Sequence, residues 1–387
     1  MVATRGTAAA TGREPTPQPT GNGPINTLTT LFGGGEHKND TVPARDLKRK
    51  ATDPKLDIVT IDKMHDLTLL VGSPGTLHVQ KAFRVNKGSL RNASSVWAAM
   101  LNGNWAESGM SEISFPEDSS YAFEIVLRIV HLQFKEVPGS LTPRQLLLIA
   151  GLADKYDLSP LLHATVEYKK WLAPYRGSGP GWPANIDLQD FTLITETFGL
   201  EEDFQYLVNR LAMQVQLEKD QLFYMSSLNK KVLIRADFPA RILGRVNQKR
   251  SNLLEIILKH CKTTLHATLE KKSGRCGFSL CPMTQAGIIM KTFHNAGLSP
   301  LPDNDSYMNG SVLDYWEKLK LMGEAHKTNM PAACKTVGTM YNPYTSSYVQ
   351  GSGGCIGDID IASAIQKDLK GHAHAKLWAQ WEADKVV

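Results

Sequence analysis

The stretch "TPRQLLLIAGLADKYDLSPLL", residues 142–162, specifies much of its own backbone. Thr142 suits an N-cap, Pro143 suits the first helical position, where its missing N–H is not needed, and Gln145 completes a capping box. The helix launched there carries Leu146, Ile149, Ala150 and Ala153 on one side, which predicts a buried face. Asp154 and Lys155 are adjacent, about 100° apart around a helix, so they are poorly placed to pair and mark its exposed end instead of a catalytic dyad. Ser159-Pro160 repeats the cap-and-proline device for a further helix ending near Trp171.

The preceding residues supply what this helix can pack on. "DLTLLVG" (66–72) reads as a short strand, Ser73-Pro74-Gly75 as a type II turn, and "LHVQKAFRV" (77–85) as a second strand. Leu77, Val79, Phe83 and Val85 are expected on one face of that hairpin. "SLRNASSVWAAML" (89–101) has Val96, Trp97, Met100 and Leu101 at helical spacing, with Ser89 as N-cap. A short strand "SEISFP" (111–116) follows, then "DSSYAFEIVLRIVHLQF" (118–134), capped by Asp118 or Ser119 and apolar on nearly every face through Phe134.

Outside this block the texture changes. Residues 1–55 hold ten Thr, seven Gly and six Pro with Phe32 as the one aromatic, too little apolar surface to offset the entropy of ordering, so a disordered tail is expected. Its basic end, Lys48-Arg49-Lys50, has the form of a nuclear import signal. Residues 174–187 are rich in Pro and Gly and read as a linker. Across 188–387 the sets Phe204, Leu207, Val208, Leu211, Val215 and Leu254, Ile257, Leu258, Cys261, Leu265 keep helical spacing, and a last helix is expected near Ala362 to Trp381. The carboxyl half is therefore read as mainly helical.

Several function classes lose support from the residues. The amino terminus lacks the apolar core of a signal peptide and no apolar run reaches membrane-spanning length, which predicts a cytoplasmic or nuclear protein without a membrane partner. Five cysteines are too few and odd in number for a disulfide framework. Cys276, Cys281, His326 and Cys334 could in principle close a tetrahedral zinc site, but their spacing lacks the two tight pairs of structural zinc motifs, and no metal or other cofactor is expected. "GSGGCIG" (351–357) fits neither the dinucleotide fingerprint nor a P-loop, so Cys355 is read as part of a flexible loop. His372 and His374 are read as surface residues, and the acid pairs Glu117/Asp118 and Glu201/Glu202 as helix-start charges.

The stretch 229–262 holds nine Lys or Arg against Asp237 and Glu255, a surplus of seven charges in a chain whose net charge is +5. Arg241 and Arg245, four apart, could form a positive stripe toward phosphates. Phe238 is the single aromatic there, so no stacking platform for nucleic acid is visible and a solvated helix face is expected.

Five stretches in order carry a resemblance: "DLTLLVG", "AFRVNKGSLRNASSVWAAML", "NWAES", "ISFPEDSSYAFEIVLRIVH" and "LLLIAGLADKYDL". Over residues 60–173 the chain resembles the BTB/POZ domain family, in the form common in filamentous fungi. The resemblance implies an α/β fold, a small sheet capped by a helix cluster, here followed by the mainly helical carboxyl region. It implies a non-catalytic protein-protein interaction module that homodimerises, with recruitment of transcriptional corepressors or attachment to a cullin-type ubiquitin ligase as family roles. Asp66 and Lys87 match a charged pair near the family's dimer interface, with Asn86 standing where His is usual. Trp105-Ala106-Glu107 matches the apolar-any-Glu motif of cullin-binding members, Trp105 as anchor and Glu107 as charged contact. Three functions stay open: a dimeric scaffold or regulator, a cullin adaptor whose region beyond 188 holds substrate, and a nuclear protein touching nucleic acid through 229–262.

Overall fold

Four short strands build the first sheet: β1 (Asp57–Thr60), β2 (Leu67–Val71), β3 (Lys81–Val85) and β4 (Glu112–Phe115), in the order β1-β3-β2-β4. The computed structural model describes residues 56–73, 79–103, 105–177, 181–271, 280–329, 337–342, 347–352, 361–372 and 377. The tail 1–55 thus lies outside the described residues, as do Pro74, Gly75 and Leu77 of the expected turn and second strand. β2 and β3 are antiparallel with Leu67 opposite Val85 and Leu69 opposite Phe83, while β1 and β4 join them in parallel. Leu67, Leu69, Val71, Phe83, Val85 and Ile113 are buried on one face, and Leu70 and Ala82 between them are buried as well, so the sheet is covered on both sides there. Val79 departs from the expected face. It lies outside the strand, is 72% exposed, and its carbonyl accepts from the Ser120 hydroxyl.

The expected single helix from Ser89 is two helices, α1 (Lys87–Ala93) and α2 (Ser95–Leu101). Asn86 caps the first by accepting from Ser89 N, and Ser94, in extended conformation between them, caps the second by accepting from Trp97 N. α3 (Ser120–Val130) is capped by Ser119 and stops at Val130, before Phe134, where Leu132 takes φ 60° and both Leu132 and Phe134 are exposed. The capping box of α4 (Pro143–Lys155) forms as read from Thr142 and Gln145. α5 (Ser159–Lys169) starts from Leu158 without a side-chain cap, so Ser159-Pro160 falls inside the first turn and Ser159 does not cap.

Asp154 and Lys155 turn to different partners. Lys155 Nζ donates to Asp118 Oδ1 (2.9 Å), and Asp118, buried, also accepts the Tyr156 hydroxyl on Oδ2 (2.5 Å). Asp118 therefore ties the start of α3 to the end of α4 and does not serve as the cap. The Tyr156 ring belongs to a cluster with Trp97, Phe115 and Phe123, whose tilted and edge-to-face pairs have centroid distances of 5.2–6.0 Å.

A second ionic tie joins α3 to β3. Glu124 accepts from Lys81 Nζ (3.0 Å) and from Arg128 (2.8 Å). Burial works to raise the Glu124 carboxyl, but the hydrogen bonds from Arg128 and Lys81 outweigh it and hold the group below the usual carboxylate range. A depressed acid stabilises the fold fully above its unfolded value of about 4.3, and that contribution is lost as pH falls through the lower folded value. Chemical denaturation of the wild type is expected to lose more stability than Glu124→Gln between about pH 5 and pH 2; equal losses would show that the pair carries no such linkage.

Beyond residue 181 come α6 (Leu188–Thr197), α7 (Glu201–Gln214), a sheet of β5 (Gln216–Glu218), β6 (Gln221–Met225) and β7 (Lys231–Leu233), and the long α8 (Ala240–Leu269). α9 (Leu280–Ala296), α10 (Val312–Asn329), the hairpin β8 (Val337–Asn342) and β9 (Ser347–Ser352), and α11 (Ile361–His372) follow. The region is mostly helical, with strands that the periodicity did not announce. β5 and β6 turn on Lys219 and Asp220, both at positive φ (48° and 63°), a two-residue hairpin turn without the usual Asn-Gly signal.

The two parts share one core. α6 packs on α4, α7 on α8, and buried apolar residues run continuously from Ile61 to Leu377. Trp182, in the segment read as a linker, is buried against Phe191 (centroids 5.1 Å) and donates Nε1–H to Asp203 (3.0 Å). Arg210 closes over the same segment, donating to the carbonyls of Trp182 and Pro183 at 3.0 and 2.8 Å. Arg241 of α8 bridges Glu196 of α6 (2.7 Å) and Asp154 of α4 (3.0 Å).

Candidate interaction surface

Between α2 and β4 the chain leaves the core. Asn102 closes α2, Gly103 turns at φ +104°, a conformation an L residue adopts only with strain, and a single 3₁₀ turn, Ala106–Gly109, follows. No residue of that turn is buried. The loop is closed by its own polar groups: Ser108 N donates to Trp105 O (3.1 Å), Met110 N to Glu107 O (3.1 Å), and the Ser108 hydroxyl lies 2.9 and 2.8 Å from the carbonyls of Gly103 and Trp105.

This backbone pushes Trp105 outward, 64% exposed, with Ala106 exposed and Glu107 half-buried. Met110 is exposed on the same loop. Met64 is exposed on the β1–β2 connection, which is tied to the root of α1 because Asn86 Nδ2 donates to Met64 O (3.3 Å). Solvent-facing Trp and Met without a core role are the residue types of contact surfaces. The apolar-any-Glu motif marks Trp105 and Glu107, whereas Met64 and Met110 belong to no motif and are distinguished only by their exposure in the fold.

The expected charged pair is divided differently. Asp66 Oδ1 accepts the backbone N–H of Lys87 (2.7 Å), while Lys87 Nζ donates to the carbonyls of Ser108 (3.3 Å) and Met110 (2.8 Å). Asp66 is exposed and Lys87 half-buried, so these are not two buried charges facing each other. Asn86, standing where the family's His is usual, caps α1 and donates its backbone N–H to His131 Nε2 (3.2 Å).

Residues 60–171 match the family model described as "BTB/POZ domain". The chain carries a BTB/POZ domain. No curated protein matches the chain. Strands β2 to β4, the helices α1 to α5 and the loop at Trp105 fall within the matched residues and form a small sheet with a helix cluster. BTB/POZ domains are generally interaction modules and not enzymes, which gives this one a protein-protein interaction role.

The remaining candidates sit elsewhere. Cys281 is buried in α9, Cys276 and Cys334 lie outside the described residues, and the side chain of His326 is not among those described. Among the described residues no group of three or more His, Cys, Asp or Glu is placed to hold a metal ion. Burial pushes the Cys261 thiol up to about 12. Cys355 and His374 lie outside the described residues; His372 Nδ1 lies 2.8 Å from Asp368 O. Among the described residues no helix is long and apolar enough to cross a membrane.

Several cations of the basic stretch pair within the chain, although none of the nine is buried and Lys230, Lys231, Arg241, Arg245, Lys259 and Lys262 are exposed. Arg235 binds Asp190, Arg241 binds Glu196 and Asp154, and Arg250 donates to the carbonyls of Val215, Met308 and Gly310. Arg245 lies over the Phe204 ring (5.2 Å), and Lys262 donates to Asp303 O (2.8 Å). Arg241 and Arg245 are both exposed on α8, the solvated face expected from the sequence, and each also meets a partner within the chain.

Proposed function

We propose that this chain is a non-catalytic scaffold or regulator that self-associates through its BTB/POZ domain and meets a protein partner through the Trp105 loop. The exposure of Trp105 on a self-closed turn carries this reading, because a large aromatic side chain outside the core serves contact better than stability. Asp66 and Lys87, at the foot of the same surface, belong to this reading as the residues that shape it. Multi-angle light scattering of the full chain is expected to return a dimer mass; a monomer throughout the micromolar range would remove self-association. Affinity purification from the native cell is expected to lose its specific co-purifying chains when Trp105 becomes Ala, by about thirtyfold or more for a hot-spot aromatic. Unchanged recovery would take the loop out of the interface.

One observation favours attachment to a cullin-type ubiquitin ligase as the second reading. Trp105 flanks the 3₁₀ turn as its N-cap and Glu107 lies in its first turn, the exposed apolar anchor and the carboxylate two residues apart as in the apolar-any-Glu motif. A cullin amino-terminal segment is expected to bind the wild type and to lose affinity with Glu107→Ala; equal binding would show that the motif is not the contact. Contact with nucleic acid through 229–262 has no comparable support, since Arg235, Arg241 and Arg250 already pair with carboxylates or carbonyls of this chain and Phe238, the one aromatic, is buried.

A further inference from the structure

We propose that Lys87 is the positioning residue of the Trp105 loop, its ammonium fixing the conformation in which the indole is presented. This inference deepens the reading of the loop as the contact and rests on that reading for its functional consequence.

Three observations converge on Lys87. The first is its rooting. Its own N–H is held by Asp66 (2.7 Å), and the residue before it is pinned by His131 (3.2 Å) and by Met64 O (3.3 Å), so the side chain leaves α1 from a fixed point. The second is its target. Among the described residues the hydrogen bonds of the ammonium go to the carbonyls of Ser108 and Met110, 21 and 23 residues along the chain, at 3.3 and 2.8 Å. These carbonyls belong to the two residues whose amide N–H groups close the 3₁₀ turn.

The third observation is how little holds the loop beyond its own bonds and the tie at its start, where Arg91 of α1 donates to Asn102 Oδ1 (2.9 Å). Gly103 has open space where a Cβ would stand, the turn 106–109 has no buried residue, and Trp105 and Met110 face solvent. Apolar burial therefore contributes little to ordering this segment, whereas a charge-assisted hydrogen bond is stronger than a neutral one. Arg91 holds only the start of the loop, so the Lys87 ammonium is the tie from α1 that gives the self-closed turn a fixed orientation on the sheet. An ammonium or guanidinium can make it; an isosteric methionine cannot.

Hydrogen exchange on the full chain tests the assignment. In Lys87→Met the amides of Ser108 and Met110 are expected to exchange about tenfold faster or more, with α3 and α4 unchanged, and Lys87→Arg is expected to restore slow exchange. Wild-type exchange at Ser108 and Met110 in Lys87→Met would overturn the assignment. So would equal acceleration of α3 and α4, which would make Lys87 a contributor to global stability only. Lys87→Met is also expected to lose the co-purifying chains that Trp105→Ala loses, and full retention despite a loosened loop would overturn the positioning role. Trp105→Ala itself is expected to keep slow exchange. If it also keeps every co-purifying chain, the contact reading fails while Lys87 remains assigned to the loop by exchange.

Discussion

Replacing Trp182 by alanine is expected to lower stability by about 3–5 kcal/mol, the range for deleting a buried aromatic side chain. The residue lies in a Pro- and Gly-rich stretch that composition reads as a linker, where a surface substitution would stay within about 0.5 kcal/mol. The indole is only 2% exposed, stacks on Phe191 and donates to Asp203. Trp182→Phe keeps the stack and loses the N–H donor, so it is expected to cost about 1 kcal/mol. Guanidinium unfolding followed by far-ultraviolet circular dichroism checks both. A loss under about 1 kcal/mol for Trp182→Ala would mean that the segment behaves as an exposed connection and not as part of the shared core.

Asp118→Ala is the second large effect, expected at about 2–4 kcal/mol. The buried carboxylate accepts from the Tyr156 phenol and from Lys155. Lys155 is 44% exposed on its side chain, so its share is small, as for other surface ion pairs. The larger share comes from Tyr156, whose hydroxyl would be left without its acceptor in the aromatic cluster. Burial and the neighbouring Asp118 carboxylate both push the Tyr156 phenol above its ordinary value, so it stays a donor throughout the accessible pH range. In the double variant Asp118→Ala/Tyr156→Phe, removing both partners is expected to cost less than the sum of the two single changes. Strict additivity would show that the two groups do not act together.

These two sites show why some of the molecule was legible in the sequence and some was not. The Thr142-Pro143-Gln145 start of α4 was readable because a capping box is complete within four residues. The β2–β3 pairing was readable because one face of each strand alternates with the other. Where one helix was expected with Ser89 as its cap, two form: Ser89 lies inside α1, which Asn86 caps, and Ser94, in extended conformation, caps α2. Ser159-Pro160 looked like a cap and proline, yet the helix had already begun from Leu158.

The Trp105 loop divides along the same line. Its motif residues stand out in the sequence, but nothing local says that Lys87, far back in the chain, supplies an ammonium to its carbonyls. Nor does the sequence show that Arg241 leaves the basic stretch to bind Glu196 and Asp154, or that Arg250 is spent on three carbonyls. Charge composition counts ions and is silent about which of them meet.

By itself the sequence determined strands β2, β3 and β4 (but not the edge strand β1), the capped helix α4, the helical character of the carboxyl half and the presence of the Trp105–Glu107 motif. Each is encoded in residues a few positions apart, where backbone periodicity and capping act directly. The tertiary structure alone decided that the two parts share a core through Trp182 and Arg241, that Asp66 and Lys87 do not face each other, and that Lys87 reaches the loop. Those outcomes depend on how whole elements are placed, and a hydrogen bond between distant residues exists only once packing has brought its donor and acceptor within about 3 Å.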